Sequence, residues 1–567
     1  MNPTTTDAGS GYPEPMLPDD ALDAFARAVE GIVARTYPEA LPSPVTFEAP
    51  RRPEFGDFAT NVALRLAKAA RRPPNDVANL LIEKLRDESP GIAARFVAID
   101  AVAGFINVRL APPAWQALIA RILRDGMNFG RALPRGERIS LEFGSANPTG
   151  PLVVVQGRTL SIGDTLVRAF RYCGYDVFVE WIINDAGSQI ETLGRSLFAR
   201  YVQQYDLSHP FPQDGYPGDY LVTIAEAIVR RDGEKWRNLP EAPIAQFAQF
   251  ARDAILAEQR ATAERFRVDY DLWQSEQELR ASGRMNEDLE KLRAMGLIYE
   301  ADGAQYFRTS EFGDDKDRVI VRSDGSPTYF APDIAYHYEK FSRANRAIDI
   351  LGPDHHGYIG RLKAAAAAMG FPGKLDILIA QQITLMRGGE QVSMSKREGN
   401  IVTLDEILDE VGVDAARFFF TMLATDSPLT FDLKLAVEQS SDNPVYYVQY
   451  GHARIASVLR RADPADVDAA RHSPSLGALT HDAEMVLARR LAELPRVVQG
   501  TVDNLAPHRL AKYARDVATE FHQFYTECTI LVEDREVRRA RLGLCIATKS
   551  VLAQVLELIG VSAPESM

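Results

Sequence analysis

Ser145-Ala146-Asn147-Pro148-Thr149-Gly150-Pro151-Leu152-Val153-Val154-Val155-Gln156-Gly157-Arg158 is the stretch whose reading decides the fold. An apolar run at Ile139, Leu141 and Phe143 precedes it and reads as a strand. Leu160, Ile162, Leu166, Val167 and Phe170 follow at helical spacing. A strand, a Pro/Gly turn and a helix start, in that order, form a phosphate site. Backbone N–H groups and the helix dipole both face the anion there.

Strand and helix patterns alternate outward from this point, over about residues 135–435. Further strands are expected at Val177–Ile183, Val319–Val321, Ala347–Leu351 and Leu375–Ile379, with a helix at Arg361–Met369. Such alternation predicts a mostly parallel sheet covered on both faces. The expected architecture is α/β: a Rossmann-like catalytic domain with an N-terminal α+β domain and a C-terminal all-helical bundle. The expected divisions are a disordered tail at 1–18, the N-terminal domain at 19–115, the catalytic domain at 116–435 and the bundle at 436–567. An insertion at about 195–290 is marked by a Pro/Gly/Tyr-rich loop and Ala/Glu/Arg-rich helical patterns.

The 567-residue chain is too long for one ordinary domain. Its 46% hydrophobic and 25% charged content are ordinary for a globular protein. Three cysteines, none close in sequence, exclude a Cys-x-x-Cys zinc site and fit a reducing compartment. No apolar run of about 20 residues is read, so no membrane span is expected. No basic-then-apolar leader is read either, and the expected location is cytoplasmic. A net charge of −14 argues against nucleic acid unless a local basic face exists. Arg51-Arg52, Lys68–Arg72, Arg230-Arg231 and Arg535–Arg541 are candidate faces.

A second loop, Gly388-Gly389-Glu390-Gln391-Val392-Ser393-Met394-Ser395-Lys396-Arg397-Glu398-Gly399-Asn400, carries glycines at both ends. Lys396 and Arg397 suit stabilisation of a departing pyrophosphate. A cationic planar guanidinium needs carboxylates and oxygen acceptors around it. Glu142 ends the first strand, Asn147 lies in the turn, and Tyr329 and Asp333 are four apart at a helix start. His355-His356 lacks a third ligand at metal spacing, so no metal site is assigned. Tyr446, Tyr447 and Tyr450 fit either base stacking or core packing.

The chain resembles arginyl-tRNA synthetases over nearly its whole length. The matches are Ser145–Leu152, Trp181–Ile190, Gly352–Tyr358, Ser393–Asn400, Tyr446–Arg454, the N-terminal Glu54–Asn61 and the segment Leu558–Met567. The resemblance implies ATP-dependent formation of arginyl-adenylate, tRNA-dependent in this step, then transfer of arginine to tRNA(Arg). It implies ATP with Mg²⁺ and a monomer. Glu142, Asn147, Tyr329 and Asp333 would contact arginine. Pro148, Thr149, Gly150, Gly157, Arg158, Asp354, His355, His356, Met394 and Ser395 would bind ATP. Gln156, Lys396 and Arg397 would be catalytic, and Tyr446, Tyr450 and Arg454 would meet tRNA. Asn184, Asp185 and Gln189 would lie at the site's rim.

The chain departs from the family pattern at His-x-Gly-His, where it has Val153, Val154, Val155 and Gln156. Ser393 replaces the first lysine of the second motif. An oriented donor at a phosphoryl centre is worth roughly 10²–10³ in rate. Gln156 retains an amide NH₂ able to donate to a phosphate oxygen. The leading expectation is an active arginine–tRNA ligase. The alternative is a paralogue that binds tRNA or arginine with an impaired ATP site.

Overall fold

The computed structural model describes residues 16–39, 44–50, 52–237, 239–392 and 402–567. Residues 1–15 of the expected tail lie outside these, and Pro18 opens the first helix, Pro18–Thr36. That helix buries Phe25, Val29 and Ile32 at helical spacing. They pack with Val77, Leu81, Ile106 and Val108 beside a sheet of β1 (Phe58–Thr60), β2 (Phe96–Val102) and β3 (Phe105–Leu110). The sheet is antiparallel, in the order β1-β3-β2. The helix Pro112–Asp125 follows, and the expected division at 115 falls inside it.

The catalytic core contains β4 (Arg138–Phe143), β5 (Asp176–Ile183) and β6 (Leu272–Ser275). After a small antiparallel sheet of β7 (Ile298–Ala301), β8 (Ala304–Phe307) and β9 (Arg318–Val321), β10 (Arg346–Leu351) and β11 (Leu375–Ile379) return to the core. The order is β11-β10-β4-β5-β6, all parallel. Two expectations change here. Val319–Val321 is a strand, but it belongs to the small sheet, since a three-residue apolar run suits either place. Within the expected insertion, β6 pairs with β5 as the sheet's edge. The helices Tyr220–Asp232 and Ile244–Arg265 lie between those two strands in sequence.

The helix Val154–Tyr172 packs closely on β4. A Cβ at Gly163 would lie 2.1 Å from the Phe143 ring, so only glycine fits without movement. A third small sheet holds β12 (Ile383–Arg387), β13 (Glu390–Gln391) and β14 (Leu429–Asp432) in the order β13-β12-β14.

The C-terminal part is helical, with Pro444–Arg461, Asp482–Ala492, Leu494–Asp503, His508–Glu527 and Arg535–Ile559 as its main elements. Asp482–Ala492 and Leu494–Asp503 are separate helices, the break falling just before Leu494-Pro495, because proline cannot continue a helix interior. Arg535–Ile559 is long and apolar enough to cross a membrane, with mean hydropathy 1.6 in its best window. The physical reason for its apolarity is burial, since 78% of that window lies inside the protein. The N-terminal domain rests on this bundle: Asp57 pairs with Arg489 at 2.7 Å and Gln116 donates to the Leu479 carbonyl at 3.2 Å.

Candidate active site

Three carboxylates stand in one row across the parallel sheet. Asp349 on β10 is in register with Glu142 on β4, and Glu142 with Glu180 on β5. All three are buried. Like charges directly opposite on neighbouring strands are destabilising, so the covering helix Phe330–Arg343 supplies counter-charges. Lys340, fully buried, donates to Glu142 at 2.5 Å and to Asp349 at 2.6 Å. His337 Nε2 lies 2.8 Å from Asp349. Arg343, Tyr336 and Ser140 donate to Glu180 at 2.6, 2.6 and 2.5 Å. Tyr336, His337, Lys340 and Arg343 share one helix face at spacings of three and four. Burial works against the Asp349 anion, but Lys340 and His337 outweigh it and hold its carboxyl below the usual range. Burial also opposes the Lys340 ammonium, and Asp349 and Glu142 outweigh that.

Sequence reading missed Lys340. The signal was present: three carboxylates inside apolar strands demand cations, and one helix carries them in step.

Asp333 begins the same helix, and its side chain pairs with no cation among the described residues. Burial first, then Glu142 and Glu276, push its carboxyl from 3.8 up to about 6, with His337 and Lys340 pulling the other way. A desolvated, unpaired carboxylate beside other carboxylates is a place for a cation. Tyr329 caps this helix and is exposed. Glu142 is a less direct partner than expected, because one carboxylate oxygen is taken by Lys340 and the other accepts from Ser145 Oγ at 2.9 Å.

At the carboxyl ends of β4 and β5, Asn184 donates to the Asn147 side chain at 2.9 Å. Asn147 in turn donates to Gln189 at 2.9 Å. The rim residues thus fix which way the Asn147 amide points. Asp185 is different: it is buried and accepts from Ser275 Oγ and the Gln277 N–H.

The turn after β4 is held from beneath. Gln259 donates to the carbonyls of Asn147 (3.2 Å) and Gly150 (2.8 Å), and Tyr220 donates to that of Thr149 (2.5 Å). Pro148 is buried between them. Gln156 Oε1 accepts from the Val153 N–H at 3.0 Å, capping the helix start. Its NH₂ has no partner among the described residues.

One expected ATP contact, Arg158, is corrected, and Gly157 carries a packing constraint. Gly157 faces the helix Leu404–Thr421, where a Cβ would lie 2.6 Å from Leu404 and 2.9 Å from Phe420. Its small size serves packing. Arg158 is 0% exposed and donates to the carbonyls of Gln381 (2.9 Å), Ala424 (2.9 Å) and Ser427 (2.7 Å). Its guanidinium is committed to the interior.

The second loop leaves the β12–β13 hairpin, where the Val392 N–H donates to Leu385. Met394, Ser395, Lys396 and Arg397, with Ser393, lie outside the described residues. The chain returns beside the first motif: Thr403 bridges to Val153, and the Leu404 N–H donates to the Leu152 carbonyl at 2.7 Å. Asp354 and His355 are exposed in a short turn of helix after β10. The His356 side chain is outside the described ones.

In the bundle, the rings of Tyr446 and Tyr450 stack at 5.8 Å and 8°. Arg454 donates to Tyr450 at 2.8 Å and lies over the Tyr450 and Tyr525 rings. All three expected tRNA residues are half-buried. The Arg535–Arg541 cluster is engaged by acids, with Arg535 still 61% exposed, which narrows its reading as a phosphate surface. Arg535, Arg538 and Arg539 converge on the buried Asp466, and Arg541 pairs with Glu484.

A parallel sheet with a Pro/Gly turn at the end of β4, a second loop returning beside it, and an appended helical bundle define a class I aminoacyl-tRNA synthetase. Residues 225–427 match the family described as tRNA synthetases class I (R), catalytic domain. Residues 20–110 match the arginyl tRNA synthetase N terminal domain, and 448–567 the DALR anticodon binding domain. The chain is 44% identical over 535 residues to the arginine–tRNA ligase of Desulfitobacterium hafniense, covering 93% of this chain and 95% of that one. It is 45% identical over 550 residues to that of Moorella thermoacetica, covering 96% and 97%. The solved arginyl-tRNA synthetase of Thermus thermophilus shares the fold, with TM-score 0.75 and 24% identity over 97% of this chain and all of that one. The chain therefore belongs to the arginine–tRNA ligase family. It is an enzyme that works with arginine, tRNA(Arg) and ATP.

Proposed function

We propose that arginyl-adenylate forms at the carboxyl ends of β4 and β10, and that this step requires bound tRNA. The arginine carboxylate attacks the α-phosphorus of ATP, and the bond to the β-phosphate oxygen breaks, releasing pyrophosphate. A ribose hydroxyl of the terminal adenosine then attacks the arginyl carbonyl and AMP leaves. The protein's part is positioning and charge stabilisation. Asp333 takes the guanidinium. Asn147 and Tyr329 orient the amino acid, with Glu142 acting from beneath through Ser145. Gln156 donates its free NH₂ to the α-phosphate, Lys396 and Arg397 stabilise the leaving pyrophosphate, and Asp354, His355 and His356 border the adenosine. Mg²⁺ enters with ATP, whose phosphates supply ligands. Tyr446, Tyr450 and Arg454 meet unpaired tRNA bases. The working unit is a cytoplasmic monomer with its domains divided at about 19–115, 116–435 and 436–567.

The observation that carries this reading is Asp333, a desolvated carboxylate without a cation beside a row of compensated ones. The paralogue reading draws on Val153, Val155, Gln156 and Ser393. Arginylation assayed at saturating ATP, Mg²⁺ and arginine, with and without tRNA(Arg), decides between them. Arginyl-tRNA formation, with ATP–pyrophosphate exchange only when tRNA is present, is expected. No product with tRNA would sink the proposal.

A further inference from the structure

The helix Ile244–Arg265, from the insertion between β5 and β6, touches both nucleotide segments with one face. Gln259 is fully buried, and its amide NH₂ donates to the carbonyls of Asn147 and Gly150. Both carbonyls precede prolines, Pro148 and Pro151, which contribute no N–H to the turn. Within the turn the Asn147 carbonyl also accepts from the Thr149 N–H at 2.8 Å, whereas the Gly150 carbonyl takes its donor from outside the turn, the Gln259 amide. One helical step on, Thr262 Oγ1 donates to Asp405 at 2.5 Å. A further step on, Arg265 donates to Asp405 at 2.7 Å and to Asp409 at 2.5 Å. Asp405 lies in the first turn of the helix that receives the second loop. Gln259, Thr262 and Arg265 thus form an i, i+3, i+6 ridge. One end holds the first nucleotide motif and the other holds the landing point of the second.

Packing alone does not account for the amide at 259. Its Oε1 is buried without a partner among the described residues, which is a cost an apolar side chain of that size would avoid. The gain is the pair of donated bonds.

We infer that Gln259, Thr262 and Arg265 are positioning residues for ATP, fixing the 147–150 turn relative to the helix start at Asp405. Through them the insertion acts chiefly on the nucleotide step; the Asn147 carbonyl is the one point at which the ridge also reaches the arginine side. This inference rests on the reading of the turn and loop as the ATP site.

The test uses the full-length enzyme with ATP, arginine and tRNA(Arg). Gln259→Met keeps the volume and removes both donated bonds; Thr262→Val removes the second tie, and Thr262→Ser restores its hydroxyl. Gln259→Met is expected to raise the KM for ATP about tenfold, the KM for arginine by clearly less, and to leave the KM for tRNA within about twofold of wild type. Thr262→Val moves in the same direction by about threefold and Thr262→Ser returns to wild type. The double variant falls short of the product of the singles, because both act through one geometry. Equal losses for all three substrates, or unchanged kinetics beside a lowered Tm, overturn the inference. Should Gln259→Met fail to fold, the Thr262 pair alone decides it. Backbone hydrogen exchange of wild type separates the two levels of failure. ATP-dependent slowing at 149–157 and 402–406 together with unaffected variants removes only the ridge. No slowing in wild type removes the ATP-site reading and the ridge with it.

Discussion

Replacing Asp333 by Asn tests the arginine pocket most directly. The carboxyl is held at about 6 against an ordinary 3.8, chiefly by burial. At about 1.4 kcal/mol for each pH unit, that displacement corresponds to about 3 kcal/mol. This is the strain of keeping an unpaired anion there at neutral pH, and an incoming guanidinium relieves it. Asp333→Asn should therefore raise the KM for arginine by about 100-fold, with the KM for ATP unchanged. A pH profile adds a second reading. Below about pH 6 the free enzyme is protonated at this site, and arginine must displace the proton. The wild-type KM for arginine should thus rise by up to about tenfold per pH unit below that point and level off above it, while Asp333→Asn is flat. The sign for the unliganded protein is opposite to that of a paired carboxylate. A raised folded pKa means the folded state holds the proton longer, so this group's contribution declines as pH rises from about 4 to 6. Arginine should restore stability most above pH 6, measured as a Tm increase. Initial-rate arginylation between pH 5 and 8 is the assay. A KM for arginine within twofold of wild type in the variant, or a flat wild-type profile, refutes the pocket assignment.

Other expectations follow from the same site and its surroundings. Lys396→Ala should lower the rate of arginyl-adenylate formation by about 10²–10³ with little change in the KM for arginine; unchanged exchange kinetics would remove Lys396 from the mechanism. Arg158→Met leaves three buried carbonyls without their donor and should cost about 3 kcal/mol of stability, read by urea unfolding. An effect on the KM for ATP at full stability would return Arg158 to the nucleotide site. Tyr450→Ala should weaken tRNA binding by about 1–3 kcal/mol in a filter-binding titration. Equal tRNA affinity would assign the Tyr446–Tyr450 stack to packing.

Much of this architecture is legible in the chain because its signals are local. The apolar runs at 139–143, 177–183, 347–351 and 375–379 are strands in the parallel sheet. β6 was not legible, since Leu272–Ser275 is short and becomes a strand only by pairing with β5. The Asn147–Asn184–Gln189 cluster was within reach as a rim, because strand ends gather in an α/β sheet. Arg158 was not, for its carbonyl partners lie 223 to 269 residues away. The arginines of 535–541 show the same limit: a basic run looks solvated until the fold brings one buried acid, Asp466, beneath it.

Arg417, buried in the helix that follows the second loop, also bears on how the protein is made. It pairs with Asp164 and donates to the Ile559 carbonyl at 2.9 Å, a partner 142 residues downstream. Around it, Arg267 reaches the Gly560 carbonyl and Asp414 accepts from Ser562. A chain emerging from the ribosome thus completes its nucleotide-binding sheet while this interior cation still lacks one acceptor. The catalytic half is not finished until residues 559–562 have been synthesised and threaded back against it. The interior contacts of the catalytic half are thus complete only when the last turn of the bundle is in place.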